Sequence, residues 1–456
     1  MPARTTPACT TSTRSTATSS PSRRRSTTWR SSLPHTLAEK ILLAHADADD
    51  LAPGDVVMVR CDVVMGNDAT GPVAFRQMEK MGVERVFDPA KVVMVSDHFT
   101  PAKDVRSAEV QRRLKEWSEA HGVTYYGQGR GGIEHTLLCE EGWVVPGSVI
   151  AGGDSHTCTY GALGAFGSGL GSTDIAACLA FGEFWQTVPG TIEVEYVGEK
   201  RPFVTGKDLI LAVLAEVGVG GGTNTVLEFV GDAAEALSVD ERLAVANMAV
   251  EAGAETGLFP ADGVAAEYLE GRTERPWTAE RSDADASFVR RLRIDLADVP
   301  PLVALPHLPG NVVPLEEVRG RKIDQVYIGN CANGTMTDLR QTADILAGRK
   351  VHPDCRAIVV PATQRIYREA MREGLLDAFV EAGAVVSTPT CGACFGGHMG
   401  LLGAGETAIT TTNRNFRGRM GSPQAEVHLA NAWVAAAAAV AGEVVDPADV
   451  LEGVPA

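Results

Sequence analysis

Residues 324–331 (DQVYIGNC), 356–363 (RAIVVPAT) and 384–391 (AVVSTPTC) decide the fold class. Each is a short run of apolar and β-branched residues, typical of a buried strand, and predicted helices separate the runs. Strands that alternate with helices in this way form parallel sheets. The carboxyl ends of parallel strands share one edge of the sheet, where ligands gather. Two of the runs end in cysteine, so both cysteine motifs should lie at that edge.

The same alternation continues towards the N-terminus. DVVMVRCDVVM (55–65) and KVVMVSDHF (91–99) predict buried strands. TIEVEYVGEKRPFVTGKDLILAVLAEVG (191–218) predicts a strand pair that leads into a helix and opens a new domain, and a polar segment ending at Pro300-Pro301 predicts the next boundary. We therefore expect an α/β protein with three-layer domains and parallel sheets over residues 35–190, 191–300 and 301–456.

The first 34 residues have a different composition, rich in Ser, Thr and Arg and free of acidic residues. Such a segment cannot bury a core, so we expect it to be disordered. It is either a transit peptide or, as the favoured interpretation, an upstream extension of no structural value.

Charge and cysteine usage narrow the class of protein. The net charge is −17, which argues against a nucleic-acid binder, and the most apolar stretch, Ala432 to Gly442, is too short to cross a bilayer and predicts a buried helix. Nine cysteines occur, mostly singly, so a disulfide framework is not expected and a reducing, cytoplasmic compartment is inferred. We expect small core residues at five of them: Cys61, Cys139, Cys158, Cys178 and Cys355.

Cys391 and Cys394 form a CxxC motif, which alone fits a zinc half-site, a redox pair or an iron–sulfur site. Cys331, 60 positions earlier, favours the last of these. Three thiolates on a four-iron cluster leave one iron without a protein ligand, and that iron can act as a Lewis acid on a substrate hydroxyl.

A Gly-rich stretch, GGDSHTCTYGALGAFGSGLGSTD (152–174), is the second candidate site. It places Asp154, Ser155 and His156 in a turn and leads into a helix that Ser172 or Thr173 would cap, so its backbone N–H groups could receive a carboxylate. A dinucleotide loop is disfavoured because no clear strand precedes GSGLGS and no acidic residue follows about 20 positions later.

Two other histidines stand beside acids, His98 after Asp97 and His135 after Glu134, and such pairs can hold and move a proton. TTTNRNFRGRMG (410–421) adds a basic loop suited to a di- or tricarboxylate. Its candidate side chains are Asn413, Arg414, Asn415, Arg417 and Arg419.

Taken together, GDSHTCTYGALGAF, a lone cysteine, CxxC and TNRNFxGR resemble the aconitase superfamily, from about residue 35 to the C-terminus. The PTCGACFGGHMG form is similar to the subgroup of 3-isopropylmalate dehydratase and homoaconitase large subunits. The resemblance implies α/β domains packed around one [4Fe–4S] cluster, and a separate small subunit that forms a swivelling domain and carries the catalytic base. It implies a hydro-lyase that moves a hydroxyl group by dehydration and rehydration.

The resemblance also implies roles for individual residues. The cluster ligands would be Cys331, Cys391 and Cys394. The catalytic residues would be three His–acid pairs: Asp97 with His98, His135 with Asp154, and His156 with Glu251. The substrate-binding residues would be Asn67, Ser155, Asn413, Arg414 and Arg419, and Asn247 would lie near the cluster. Asn67 stands where many relatives have His or Gln, and IGNCANG replaces the commoner IGSCTNG.

The substrate that the resemblance implies is 2-isopropylmalate, with homocitrate and 2,3-dimethylmalate as alternatives. Outside this class, a non-catalytic zinc or redox CxxC protein remains open. Neither nucleic acid nor membrane is an expected partner.

Overall fold

The computed structural model describes residues 33–453 of the chain. The extension predicted for residues 1–34 lies, apart from its last two residues, outside the described residues. No helix among residues 33–453 is both long enough and apolar enough to span a bilayer.

The first part of the described chain is built on a parallel sheet of five strands. This part of the chain contains seven strands, five of them in that sheet: β1 Val56–Arg60, β2 Val63–Asn67, β3 Val92–Val95, β4 Thr124–Tyr126, β5 Val149–Gly152, β6 Phe166–Gly169 and β7 Glu183–Thr187. Its helices are α1 Leu37–His45, α2 Gly71–Lys80, α3 Val105–His121, α4 Glu134–Glu140 and α5 Ser172–Phe181, with 3₁₀ helices at Pro89–Lys91 and Ser155–Leu163. The sheet order is β4-β3-β2-β5-β6, while β1 and β7 pair separately as an antiparallel ribbon.

A second parallel sheet follows, with four strands in the order β10-β9-β8-β11. The strands are β8 Gly190–Val197, β9 Thr225–Val230, β10 Thr256–Leu258 and β11 Arg290–Asp295. The helices are α6 Gly206–Val217, α7 Asp232–Glu235, α8 Val239–Asn247 and α9 Gly263–Leu269, with a 3₁₀ helix at Ala249–Ala252.

The third sheet has seven strands in the order β13-β12-β18-β17-β14-β15-β16. Its strands are β12 Leu302–Ala304, β13 Val312–Pro314, β14 Gln325–Gly329, β15 Arg356–Val360, β16 Val385–Val386, β17 Thr407–Thr410 and β18 Glu426–Leu429. Its helices are α10 Met336–Leu346, α11 Gln364–Arg372, α12 Leu375–Ala382, α13 Ala432–Ala441 and α14 Pro447–Leu451, with 3₁₀ helices at Leu315–Glu317 and Gly392–Phe395. Five strands are parallel, and β12 and β13 form an antiparallel edge.

The α/β class with parallel sheets is therefore confirmed, whereas the domain limits at residues 190 and 300 stay a prediction. The helix predicted from the alanine-rich run is confirmed as α13, which lies in the core of the third sheet. All five of the cysteines expected in the core are buried.

Two local predictions were wrong. Residues 191–204 contain one strand instead of a pair: β8 ends at Val197, and its neighbours β9 and β11 come from later in the chain and leave no room for an adjacent hairpin. Helix α5 begins at Ser172, so its N-cap is Gly171 and no side chain caps it. GSGLGS (167–172) is not preceded by a separate strand but begins within one, β6, which is short and rich in glycine and so lacks an apolar signature.

The loops that carry the candidate residues follow the carboxyl ends of parallel strands. Asp97 comes two residues after β3, Asp154 two residues after β5 and Cys331 two residues after β14. At the last of these, Gly329 has a φ of 128°, and a Cβ there would lie 2.0 Å from the Val360 carbonyl oxygen. Only glycine allows β14 to approach β15 so closely before the chain turns out to the cysteine.

Candidate active site

The first wall of the site is the loop after β3. Buried Asp68 accepts hydrogen bonds from the backbone N–H groups of His98 (2.9 Å) and Phe99 (3.0 Å), which fixes the loop. His98 Nδ1 lies 2.7 Å from Asp97 Oδ1, and its Nε2 lies 3.7 Å from Asp154 Oδ2. Burial lowers the pKa of His98, but the charge of Asp97 and the hydrogen bonds to Asp154 and Asp97 outweigh it and hold that pKa well above its usual value.

Asp154 is the acid that all three histidines share. His135 Nε2 donates to its Oδ1 at 2.9 Å, and His156 Nδ1 lies 3.4 Å from the same oxygen. Burial raises the pKa of Asp154, yet the hydrogen bonds from His135, His156 and His98 together hold it well below its usual value. The carboxylate is therefore ionised over the whole neutral range.

Another wall of the site is formed where the second sheet's layer meets the basic loop. Glu251 Oε1 accepts from Arg414 Nε at 2.6 Å and from His156 Nε2 at 3.1 Å. Arg414 Nη1 donates to Ser155 Oγ at 2.9 Å. Within residues 33–453 its Nη2 makes no hydrogen bond, so one guanidinium edge remains for an anionic ligand.

The cysteines meet these walls directly. The backbone N–H of Cys391 donates to the Asp97 carbonyl oxygen (3.0 Å), and Thr136 Oγ1 donates to the Cys331 carbonyl oxygen (2.8 Å). Cys331 Sγ accepts from the side-chain amides of Asn247 and Asn413, each at 3.1 Å. The sequence-predicted cysteines, His–acid pairs, Asn247, Asn413, Arg414 and Ser155 thus lie in one connected site.

The two thiols of the CxxC motif have opposite pKa shifts. The hydrogen bond from Cys391 lowers the pKa of Cys394 to about 5, against the effect of burial and with help from the charge of Arg419. The same contact raises the pKa of Cys391 well above its usual value. A thiolate is thus available before any metal binds.

Arg419 lies at the edge of the cysteine loop, where its buried Nε has no hydrogen-bond partner among the described residues. Two other residues of the basic loop lie away from the site. Arg417 is exposed, and its Nη1 donates a hydrogen bond to the Pro423 carbonyl oxygen at 3.3 Å. Asn415 is buried and donates to the backbone of Leu305 (2.7 Å).

Asn67 lies behind the site, with its side chain fully engaged. Its Oδ1 accepts from the backbone N–H groups of Ala69 (3.0 Å) and Thr70 (2.9 Å), and its Nδ2 donates to Glu134 Oε1 (2.9 Å). Its predicted role in substrate binding stays a prediction, and its contacts are those of a residue that holds Glu134.

Sequence reasoning missed two buried acids of the site. Asp68 was not singled out, although it follows β2 at the same sheet edge. Adjacency in the sequence paired His135 with Glu134, whereas the family resemblance paired it with Asp154; the histidine lies 3.6 Å from Glu134 and 2.9 Å from Asp154. Glu134 Oε2 is buried and has no hydrogen-bond partner among residues 33–453, and burial together with the charges of Asp97 and Asp154 raises the pKa of Glu134 well above its usual value.

A cleft of about 590 Å³ opens beside the site, between Phe99, next to His98, and Phe395, next to Cys394. Its lining includes four cationic residues: Arg76, Lys103, Arg106 and Arg113. Three acidic residues, Asp68, Asp104 and Glu109, line the same cleft, so the charges there largely balance.

Comparisons with known proteins agree with the family resemblance seen in the sequence. A family model described as the aconitase family (aconitate hydratase) matches residues 39–321 and 316–442. The 3-isopropylmalate dehydratase large subunit 2 of Rubrobacter xylanophilus is 74% identical over 418 residues, which cover 92% of this chain and 99% of that protein. The large subunit of the same name from Moorella thermoacetica is 51% identical over 418 residues, covering 91% and 99%. The holo-form crystal structure of Thermococcus kodakaraensis aconitase X matches with a TM-score of 0.50 at 14% identity, over 85% of this chain and 92% of that one, and supports the fold alone.

Proposed function

This chain belongs to the aconitase family, and from that premise we propose that it is the large subunit of a hydro-lyase that isomerises 2-isopropylmalate to 3-isopropylmalate in leucine biosynthesis. The observation that carries this proposal is the contact between the two halves of the site. The Asp97 carbonyl oxygen binds the Cys391 N–H, so the His98 loop and the cysteine loop are built against each other. A proton donor and a metal-binding thiol set are thereby joined in one pocket.

The family implies an iron–sulfur cluster, and the three cysteines fit one. Among residues 33–453, there are groups of three possible ligand atoms that all lie within 4.8 Å of one another, and none of these groups contains a cysteine. One tetrahedral zinc would hold three sulfur atoms roughly 3.8 Å apart, given a Zn–S distance of about 2.3 Å. The three sulfur atoms do not all lie that close together, although Cys391 and Cys394 are within reach of a hydrogen bond. From the family and the three-cysteine donor set, we assign the [4Fe–4S] type with ligands Cys331, Cys391 and Cys394.

When bound, such a cluster would supply one iron with an open position, a Lewis acid for the substrate's hydroxyl and neighbouring carboxylate. The amides of Asn247 and Asn413 would hold Cys331 in place by hydrogen bonds to its sulfur, the kind of contact that tunes such clusters.

The protein's own groups would handle the proton and the carboxylates. His98, kept protonated by Asp97, would give its Nε2 proton to the departing hydroxyl group and recover one when water adds back. Asp154 would hold His135 and His156 in fixed orientations. The free edge of Arg414, with Arg419 and Ser155 nearby, would bind a substrate carboxylate.

The relatives are named large subunits, which implies a small-subunit partner. We propose that this partner is the swivelling domain, that it closes over the site and that it brings the base that removes the proton from carbon. The large subunit alone would then bind the cluster but turn over slowly.

The test is an assay of the full chain, reconstituted without oxygen and mixed with a matched small subunit. We expect 2-isopropylmalate to be converted with the highest kcat/KM, ahead of homocitrate and 2,3-dimethylmalate. His98→Asn should abolish turnover, and the control His121→Asn, on the far end of α3, should not. Equal activity of these two variants would refute the role of His98. Preference for another hydroxy acid would reassign the substrate.

A further inference from the structure

Lys207, which no sequence motif indicated, is fully buried beneath the candidate site. It is the second residue of α6, and its Nζ donates to the carbonyl oxygens of Thr411 (2.9 Å) and Thr412 (2.7 Å). Those two residues immediately precede Asn413 and Arg414. The lysine therefore reaches from the second sheet's layer to the loop that contacts both Cys331 and Glu251.

The lysine's charge has no conventional partner. No carboxylate in residues 33–453 lies within 4.0 Å of Nζ, and two carbonyl oxygens cannot neutralise an ammonium group. The first turn of a helix also disfavours a cation because the helix dipole is positive there. A buried charge without a counter-charge is strongly destabilising. By contrast, the equally buried Arg242 is paired with Asp262 at 2.9 and 2.6 Å.

The largest negative charges that act on Lys207 are those of the cysteine set. Burial lowers the pKa of Lys207 to about 8, and the opposing negative charges come first from Cys394 and Cys331, then from Asp338 and Glu251. Thiolates that hold a cluster stay deprotonated and bring lasting negative charge into this site.

We propose that Lys207 is a positioning residue for the cluster, acting as the buried counter-charge of its thiolates and holding the Thr411–Thr412 backbone so that Asn413 stays on Cys331 Sγ. The inference rests on the proposed function. In this role, the lysine destabilises the chain without the cluster and stabilises the chain with the cluster bound. A lysine that served only as a structural tie would stabilise both.

The test compares Lys207→Met and Lys207→Gln with wild type in the full chain, with and without anaerobic reconstitution. Gln keeps an N–H donor but removes the charge. We expect each apo variant to unfold at the wild-type temperature or above, and each loaded variant to lose iron and labile sulfide roughly 10-fold faster in air, the scale of lost outer contacts to a metal site. The control Arg242→Met should lower the apo unfolding temperature because Asp262 loses its partner.

Two outcomes would overturn the inference: cluster loss at the wild-type rate in both variants, or a lower apo unfolding temperature in both. Reconstitution of the wild type distinguishes failure of this inference from failure of the proposed function. If the wild-type chain takes up no iron and sulfide, the proposed function fails. If it loads normally but the variants show either of these two outcomes, only the role of Lys207 fails.

Discussion

Replacing Gly132 by alanine should disable the site without touching any residue assigned to it. Gly132 forms a backbone bridge with Thr363, and the flanking bonds run from Ile133 N–H to the Ala362 carbonyl oxygen (2.8 Å) and from Gln364 N–H to the Gly131 carbonyl oxygen (3.0 Å). This seam joins the first sheet's layer to the third. His135 and Thr136, which contact Asp154 and Cys331, follow it directly.

The size of the effect follows from the space at Gly132. An added Cβ would lie 2.5 Å from Thr363 Cα and 2.7 Å from the Ala362 carbonyl oxygen, whereas ordinary contact begins at 3.4 Å. Both obstacles are backbone, so the seam must open by about 1 Å, a displacement that typically reduces catalysis about 100-fold. Overpacking of this kind should also lower the free energy of unfolding by about 1–3 kcal/mol.

The assay is kcat/KM for 2-isopropylmalate with the small subunit present, alongside iron content and urea unfolding. Gly263→Ala is the matched control because a Cβ on this first residue of α9 meets no atom within 4 Å. It should retain wild-type kinetics and stability. Activity of Gly132→Ala within about twofold of the control would show that the seam does not set the distance between His135 and Cys331.

Three further predictions follow. Cys391→Ser should strip the cluster and abolish activity while Cys355→Ser does neither, and equal iron content in the two variants would refute the ligand assignment. Arg414→Lys should raise KM about 10-fold because a point charge cannot bind Glu251, Ser155 and a carboxylate together, whereas Arg417→Lys should match wild type in the same kinetic assay. Burial raises the pKa of Glu228 from 4.5 to about 7, so its contribution to stability is complete below pH 4.5 and is lost as the pH rises to 7. Over that pH range, the free energy of unfolding of the wild type should fall by at most about 3 kcal/mol. Urea titration should show a visibly smaller fall for Glu228→Gln.

The sequence predicted those parts of the molecule that local pattern determines. Buried β-branched runs located β14 and β15, and the cysteines after β14 and β16 were correctly expected at one sheet edge because parallel strands end on the same side. Lone cysteines in apolar runs were correctly taken as core.

The features that the sequence did not predict depend on contacts between distant segments. Asp154 contacts His98 from the loop after β3 and His135 from α4 as well as nearby His156, and spacing along the chain gives no sign that the first two share it. Adjacency suggested Glu134 as the partner of His135, whereas the family resemblance implied Asp154, towards which α4 turns the histidine. Arg414 and Arg417 look alike in sequence, yet only the path of the loop turns one inward. Lys207 resembles any lysine at the start of a helix until the third sheet covers it.

The most direct test of the whole account is the amount of iron, acid-labile sulfide and zinc per wild-type chain after anaerobic reconstitution. We expect about four iron and four sulfide per chain, with a fall towards three iron in air as the open-position iron is lost. About one zinc per chain with no sulfide would contradict it, and would leave a CxxC zinc protein on an aconitase fold.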